Sequence, residues 1–232
     1  MMTVIKAKDR GFADHGWLKS FYTFSFADYY DPSRMGFSVL RVINEDRIEG
    51  GKGFKTHPHR DMEIISYVIE GALDHKDSMG TKTVINPSEI QRMSAGTGIR
   101  HSEYNHFADK KTHFLQIWIL PDKKGLTPGY EQRSFEKHFS NNDLILVGSK
   151  DEKEGSISIS QDVNLYVCKS AEKGKKNFKM FSARNIWLQI IKGQVQADGV
   201  VLTAGDGAGL EKVESIDILW TEDSEFLLFD LP

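Results

Sequence analysis

The chain has 232 residues, of which 39% are hydrophobic and 27% are charged, and its formal net charge is −3. This balance is typical of globular proteins and argues against long disordered segments. A slightly acidic chain lacks the basic surface of a nucleic-acid-binding domain, so we expect no direct contact with DNA or RNA. The longest stretch without Asp, Glu, Lys or Arg is ten residues, 112–121. That is about half the length of a membrane-spanning helix, and no membrane span is expected.

The N-terminus and the cysteine content point to one cellular compartment. Residues 1–10 contain no apolar core of signal-peptide length, which favours the cytoplasm. The single cysteine, Cys168, excludes an internal disulfide and any cysteine-based zinc site. We expect Cys168 to be a small, buried, apolar side chain.

Short apolar runs separated by Gly, Asn, Asp and Pro dominate the chain, and helical periodicity is scarce. This pattern is typical of all-β sandwiches and barrels. One short helical turn is expected within residues 127–139, where Pro128 stands near the start. The apolar runs, in chain order, are 36–43, 62–69, 114–120, 157–159, 187–191 and 226–231.

A weak internal repeat relates the two halves of the chain. Residues 67–73, followed by a turn at 86–89, resemble residues 189–195, followed by a turn at 203–206. In both copies an apolar run ends at a glycine, a second predicted strand follows, and a turn that contains Pro or Gly and an acidic residue comes after it. We therefore predict two similar β-barrels in tandem, an N-terminal domain of residues 1–130 and a C-terminal domain of residues 131–232.

Two histidines lie two residues apart in the first half. In an extended strand, residues i and i+2 share a face and are about 6–7 Å apart. The imidazoles of His57 and His59 can therefore converge on one ion, although two packing histidines would show the same spacing. All eight histidines lie at or before His138, so the C-terminal domain is predicted to bind no metal.

A second pair, His101 and Glu103, has the same spacing and follows Gly96 and Gly98. The glycines permit a tight bend before the strand. If the two pairs occupy neighbouring strands, which are about 4.8 Å apart, three imidazoles and one carboxylate would face one point. A redox-active or borderline divalent ion suits that ligand set.

Longer motifs resemble the pirin family, and within it the bacterial pirin-like proteins described as quercetin 2,3-dioxygenases. The resemblance covers nearly the whole chain and is strongest over residues 10–135. It implies an all-β bicupin, that is, two tandem antiparallel β-barrels of the cupin type with the metal in the first. The motifs are His57-Pro58-His59-Arg60, Tyr67-Val68-Ile69-Glu70-Gly71, His75-Lys76-Asp77-Ser78 and the segment 93–103.

The resemblance also implies a site and a reaction. The family's metal ligands correspond to His57, His59, His101 and Glu103. The metal is expected to be one divalent ion, iron first, with Ni, Cu, Mn, Co or Zn as alternatives. The family reaction cleaves a flavonol such as quercetin with O₂ and releases carbon monoxide. Glu103, beside the ion, is the expected base for the flavonol hydroxyl, and we expect a monomer with a small aromatic substrate.

Two other functions would use the same ligands. Some pirins are transcriptional co-regulators, so the chain could be a non-enzymatic, iron-binding regulator that acts through a protein partner. A cupin isomerase or sugar-binding protein has less support, because nothing outside the metal ligands indicates carbohydrate specificity. Oxygen uptake by iron-loaded protein separates the enzyme from the regulator.

Glu63 departs from the general cupin pattern. Ile64 occupies the position at which that pattern has its glutamate. Because a shift of one residue turns a strand side chain to the opposite face, Glu63 is predicted to be structural, or a support for the ligands. His75, His106 and His113 are expected to be structural or exposed.

Overall fold

The structure is a computed structural model that describes residues 2–139 and 142–232. Nearly all of its regular elements are antiparallel strands, which confirms the all-β prediction. The first twelve strands are β1 (Met2–Ile5), β2 (Gly11–Asp14), β3 (Leu18–Tyr22), β4 (Leu40–Ile48), β5 (Gly53–His59), β6 (Glu63–Glu70), β7 (Leu73–Asp77), β8 (Lys82–Ile85), β9 (Glu89–Ser94), β10 (Ile99–Asn105), β11 (Thr112–Ile119) and β12 (Gly129–Ser134). The others are β13 (Leu144–Ser149), β14 (Ile157–Ser158), β15 (Asn164–Ser170), β16 (Gly174–Lys192), β17 (Gln194–Ala197), β18 (Val200–Thr203), β19 (Gly207–Trp220) and β20 (Ser224–Leu231).

The described residues contain one α-helix, α1 (Glu136–Phe139), which spans four residues. It lies at the end of the segment in which a short helical turn was expected. Earlier in that segment, strand β12 pairs with β9 from Gly129 to Ser134. Two 3₁₀ turns, Ala7–Asp9 and Lys153–Gly155, complete the helical elements of the described chain. Within residues 2–139 and 142–232, no helix is both long and apolar enough to cross a bilayer.

The chain forms two compact units, and neither is a continuous stretch of sequence. The N-terminal unit contains Gly11–Phe135 and Ile157–Gln161. The C-terminal unit contains Met1–Arg10, Glu136–Ser156 and Asp162–Pro232.

The N-terminal unit is built from two antiparallel sheets. A seven-stranded sheet has the order β12-β9-β6-β11-β4-β3-β2, and a four-stranded sheet has the order β5-β10-β7-β8. Strand β6, with the sequence EIISYVIE, is rich in β-branched residues and is buried along most of its length. Leu18, Ile48, Val68, Leu73 and Phe114 form part of one core cluster, and apolar burial of this kind is the main stabilising contribution.

The C-terminal unit is a single large sheet with the strand order β13-β15-β20-β16-β19-β17-β18, and β1 pairs with β19. Strand β20, with the sequence SEFLLFDL, is buried at every position. Cys168 is fully buried in the core of this unit, as expected from its sequence context. Burial raises the pKa of its thiol to about 12, so it is uncharged at neutral pH.

The internal repeat corresponds to the same strand–glycine–strand connection in both units. The strands on either side of each glycine do not pair with each other, because β6 and β7 lie in different sheets and β19 separates β16 from β17. Strand β6 ends before Gly71 and β16 ends before Gly193, and both glycines have a positive φ, +85° and +77°. A Cβ at either glycine would collide with a hydroxyl oxygen, that of Thr112 or of Ser224. Glycine is therefore required in both turns for its backbone conformation and for the close approach of a neighbouring strand.

Candidate metal centre

Strand β5 presents the first two histidines on one face. His57 and His59 are half-buried, whereas Pro58 between them is exposed. Their ring centroids are 4.8 Å apart. The alternation follows from the two-residue period of a strand, as the sequence predicted.

Strand β10 presents the second pair. His101 and Glu103 are each 1% exposed, on the face opposite the more exposed Arg100 and Tyr104. Strand β10 pairs with β5 in the four-stranded sheet, and His101 lies directly opposite His57 in the antiparallel register. The pairing slips between His101 and Glu103, where a bulge interrupts the ladder. The two predicted pairs therefore occupy adjacent strands.

His57, His59 and His101 form the imidazole cluster. One ring nitrogen of each lies within 4.8 Å of the other two, and His57 Nε2 is 3.0 Å from His101 Nε2. Nitrogen ligands about 2.1 Å from a metal, at bond angles of about 90–110°, are about 3.0–3.4 Å apart. The separation of His57 and His101 therefore fits two ligands of one divalent ion.

The protonation states of the cluster also fit a metal. Burial, and then the neighbouring imidazoles, lower the pKa of His59 and the pKa of His101 to about 3. Both rings are therefore neutral at pH 7, the state in which histidine binds metals. His57 Nδ1 is 2.8 Å from the carbonyl oxygen of Lys55. Because a carbonyl only accepts, Nδ1 carries the proton and Nε2 keeps its lone pair for an ion.

Glu103 is held from the opposite sheet. Ser66 Oγ donates to its Oε1 at 3.2 Å and Gln116 Nε2 donates to its Oε2 at 2.8 Å. Burial raises the pKa of this carboxyl, and the nearby histidines partly oppose that shift. One carboxylate oxygen lies within 4.8 Å of a ring nitrogen of His101 and of His75. His101 therefore belongs both to the imidazole cluster and to a second group with His75 and Glu103.

His75 was predicted to be structural or exposed, with no part in this site. Its side chain on β7 lies opposite Glu103 and is 1% exposed. His75 Nε2 is 3.2 Å from Asp77 Oδ2, while its Nδ1 has no hydrogen-bond partner within the described chain. The sequence does contain one signal for His75, its two-residue spacing to Asp77 in a strand with alternating burial. Its position beside Glu103 becomes visible only from the pairing of β10 with β7.

Glu63 lies away from the histidines. It is 1% exposed, and its Oε2 accepts hydrogen bonds from Ser94 Oγ at 2.9 Å and from the backbone N–H of Ser160 at 3.2 Å. Arg92 Nε is 3.8 Å from the same oxygen. Its partners support the structural role predicted from its offset against Ile64.

A cavity of about 680 Å³ opens beside His57 and His59. This volume is in the range of cavities that hold small organic ligands. Its aromatic lining residues are Trp17, Tyr22, Phe26, Phe54, Tyr104 and Trp118. His59 contacts Trp118 edge-on with ring centroids 5.0 Å apart. The site therefore combines possible metal ligands with space for a flat, apolar molecule.

The other predicted histidines, His106 and His113, have separate partners. His106 Nδ1 is 2.7 Å from Asp74 Oδ1 near the surface, and His113 Nε2 is 2.9 Å from Glu45 Oε1. In the C-terminal unit, Asp206 accepts hydrogen bonds from Lys6 Nζ and from the backbone N–H of Ala7. That the C-terminal unit binds no metal stays a prediction.

Two family models match the chain. The pirin model matches residues 5–119, and the model of the quercetinase C-terminal cupin domain matches residues 146–231. Among curated proteins, a quercetin 2,3-dioxygenase of Escherichia coli K12 is 49% identical over 100% of this chain and 99% of its own length. A pirin-like protein of Caulobacter vibrioides is 38% identical over 95% of both chains.

Solved structures give the same relationship. The crystal structure of YhhW from E. coli has a TM-score of 0.96 and 49% identity, and it covers 100% of this chain and 98% of its own. The structure of this bacterial pirin in complex with nickel(II) has a TM-score of 0.95 and 48% identity over 100% and 99% of the two chains. These findings confirm the cupin-type fold and the predicted relationship to enzymes of the quercetin 2,3-dioxygenase type. The chain belongs to the pirin family.

Proposed function

We propose that the protein is a metal-dependent dioxygenase that cleaves a planar polyphenol such as quercetin with O₂. The observation that carries this proposal is the convergence of three imidazoles, two of which line an aromatic cavity. Relatives named quercetin 2,3-dioxygenase and a relative with bound nickel(II) support it. The cytoplasmic location and the monomeric state remain predictions from the sequence.

The ligands of this proposal are His57, His59, His101 and Glu103. The imidazole cluster supplies three nitrogens in a geometry that fits a divalent ion, and Glu103 adds a buried carboxylate beside His101. An ion bound there would act as a Lewis acid and a template for the substrate. Iron is the proposed metal, and the nickel(II) complex of a relative shows that another divalent ion can bind a pirin of this type.

Glu103 is also the proposed base. Its carboxyl is shielded from water, and a base with a raised pKa accepts a proton more readily at neutral pH. Ser66 and Gln116 fix its two oxygens by donating to them. Glu103 would take the proton of the flavonol 3-hydroxyl, while the aromatic walls exclude water from the ring.

The test uses the full chain loaded with iron or nickel under controlled O₂. Elemental analysis should give about one metal per chain, since two units are present but only the N-terminal one carries the imidazole cluster. Loss of the flavonol absorption band with release of carbon monoxide should require both metal and O₂. His57→Ala should lose metal and turnover, and the surface variant His106→Gln should keep both. Metal-loaded protein that leaves quercetin intact would contradict the proposal.

A further inference from the structure

The cavity beside the imidazole cluster has a polar end as well as aromatic walls. Four buried polar side chains line it, from the neighbouring strands β3, β4 and β11. The antiparallel register places Ser20 opposite Asp46 and Asn44 opposite Gln116, so each pair shares a face. Their exposed fractions are 2% for Ser20, Asn44 and Asp46 and 7% for Gln116.

The hydrogen bonds of these side chains are only partly accounted for by the protein. Ser20 Oγ donates to Asp46 Oδ1, and Gln116 is directed to Glu103. Asn44 Oδ1, in contrast, is buried without a hydrogen-bond partner among the described residues. A buried acceptor left unpaired costs about 1–3 kcal/mol, so an acceptor of this kind in the wall of a cavity calls for a donor from a ligand.

We propose that Asn44 and Asp46 form a hydroxyl-binding subsite that receives phenolic O–H groups of the substrate. This inference rests on the proposed function and specifies its substrate class as aromatic rings with hydroxyls beyond the one at the reacting carbon. The Asn44 amide oxygen and the Asp46 carboxyl both accept hydrogen bonds, and a phenol is a donor of the matching kind. A ring held at this end by hydroxyls would be fixed in orientation relative to His57 and His59.

The surroundings of Asp46 favour such a donor. Burial raises the pKa of Asp46 to about 7, and the carboxylates of Glu103 and Glu45 add to the shift, against the hydrogen bond from Ser20. A carboxyl in this position has lost the water that would solvate it. A phenolic O–H would replace part of that solvation, which an unsubstituted or O-methylated ring cannot do.

The test measures binding without O₂, on protein loaded with nickel(II). Quenching of tryptophan fluorescence reports ligand binding in the cavity, because Trp17 and Trp118 line it. Quercetin is compared with unsubstituted 3-hydroxyflavone, which lacks the other ring hydroxyls. Asn44→Leu should weaken quercetin binding about 10-fold, the equivalent of one net hydrogen bond, and leave 3-hydroxyflavone within about 2-fold.

Gln91→Leu is the matched control. Gln91 is 1% exposed and its Oε1 also lacks a partner in the described chain, but it does not line this cavity. It should change the binding of neither ligand. If Asn44→Leu fails to fold, a measurement on the parent protein alone still tests the proposal. Quercetin that is O-methylated at its B-ring hydroxyls should bind the parent about 10-fold more weakly than quercetin does.

The outcomes separate the two proposals. If both flavonols bind the parent and Asn44→Leu weakens them equally or not at all, the subsite is wrong and the proposed function stands. Equal binding of quercetin and its methyl ether by the parent leads to the same conclusion. If the nickel-loaded parent binds neither flavonol, the proposed function fails and the subsite fails with it.

Discussion

Two glutamates of the N-terminal unit are equally buried but have different surroundings. Glu103 lies beside His75 and His101, whereas Glu63 lies among Ser94, Arg92 and the N–H of Ser160. Comparing the same substitution at both residues therefore distinguishes a metal ligand from a structural glutamate. The same substitution, to the uncharged isostere Gln, can be made at both.

Glu103→Gln is expected to lower metal content and turnover, because it removes the carboxylate from the proposed ligand set. Glu63→Gln should keep one metal per chain and lose about 1–3 kcal/mol in the free energy of unfolding, since it weakens buried hydrogen bonds and leaves Arg92 without its charge partner there. Elemental analysis and urea unfolding of the two variants provide the check. The opposite pattern would show that Glu63 is the ligand.

Asp46 gives a prediction about pH. Its folded pKa is about 7, and an unfolded aspartate titrates near about 3.9. Between these values the folded protein holds a proton that the unfolded chain has released, so this carboxyl lowers stability as the pH rises from about 4 to about 7. As the pH rises from 5 to 8, the free energy of unfolding of Asp46→Asn should therefore fall less than that of the parent.

Urea unfolding at several pH values measures this difference. Asp109→Asn makes the same change of charge at an exposed position and should follow the parent. The groups that act on Asp46 are the carboxyls of Glu103 and Glu45 and the hydroxyl of Ser20. Parallel curves for Asp46→Asn and the parent would mean that Asp46 is already ionised in the folded protein at pH 5.

At the scale of the strands, the site depends on the contact between β5 and β10. Gly53 at the start of β5 lies against the backbone of Glu103 and Tyr104, where a Cβ would collide with the carbonyl oxygen of Glu103. Both histidines of β5 follow on the same strand. A side chain at position 53 would therefore push them away from His101.

Gly53→Ala is expected to lower metal affinity and to cost about 1–3 kcal/mol in unfolding free energy, as overpacking does. Gly129→Ala on β12 is the control, because its Cβ would meet only Arg92 Nη1 at 3.4 Å, an ordinary contact. Metal titration and urea unfolding test both variants. Unchanged affinity in Gly53→Ala would show that β5 adjusts without moving its histidines.

Local periodicity explains which features the sequence could predict. The shared face of His57 and His59, the shared face of His101 and Glu103, and the glycine turns at Gly71 and Gly193 depend on residues close in sequence. Contacts between segments distant in sequence could not be predicted in this way. The position of His75 opposite Glu103 and that of Asn44 in the cavity depend on strand pairing, which no local pattern encodes.

At the scale of the whole chain, each unit is completed by a segment from elsewhere in the sequence. Strand β1 pairs with β19, from Met2 opposite Leu210 to Ile5 opposite Gly207. Residues 157–161 belong to the N-terminal unit, where the carbonyl of Ser158 accepts from Arg92 and Gln161 donates to the carbonyl of Leu120. No sequence pattern predicted these exchanges, because the segments are short.

A fragment of residues 1–135 is therefore expected to be poorly soluble. It lacks residues 157–161, which removes the Ser160 N–H from Glu63 and the Ser158 carbonyl from Arg92. It also carries β1 without its partner strand β19. Expression of this fragment, and of 11–135, which lacks β1, tests the prediction by the yield of soluble protein and by its metal content. A soluble, fully active 1–135 fragment would show that the N-terminal unit does not need the later segment.

The exchange of segments has a further consequence, for folding during translation. The main stretch of the N-terminal unit ends at residue 135, but the unit is complete only when residue 161 has been synthesised. Strand β1 is synthesised long before its partner β19, which ends at Trp220. At about 5–20 residues per second, the first delay is about 1–5 s and the second about 10–40 s. Over that time β1 has no partner strand, so it stays unpaired while the strands of the N-terminal unit are synthesised.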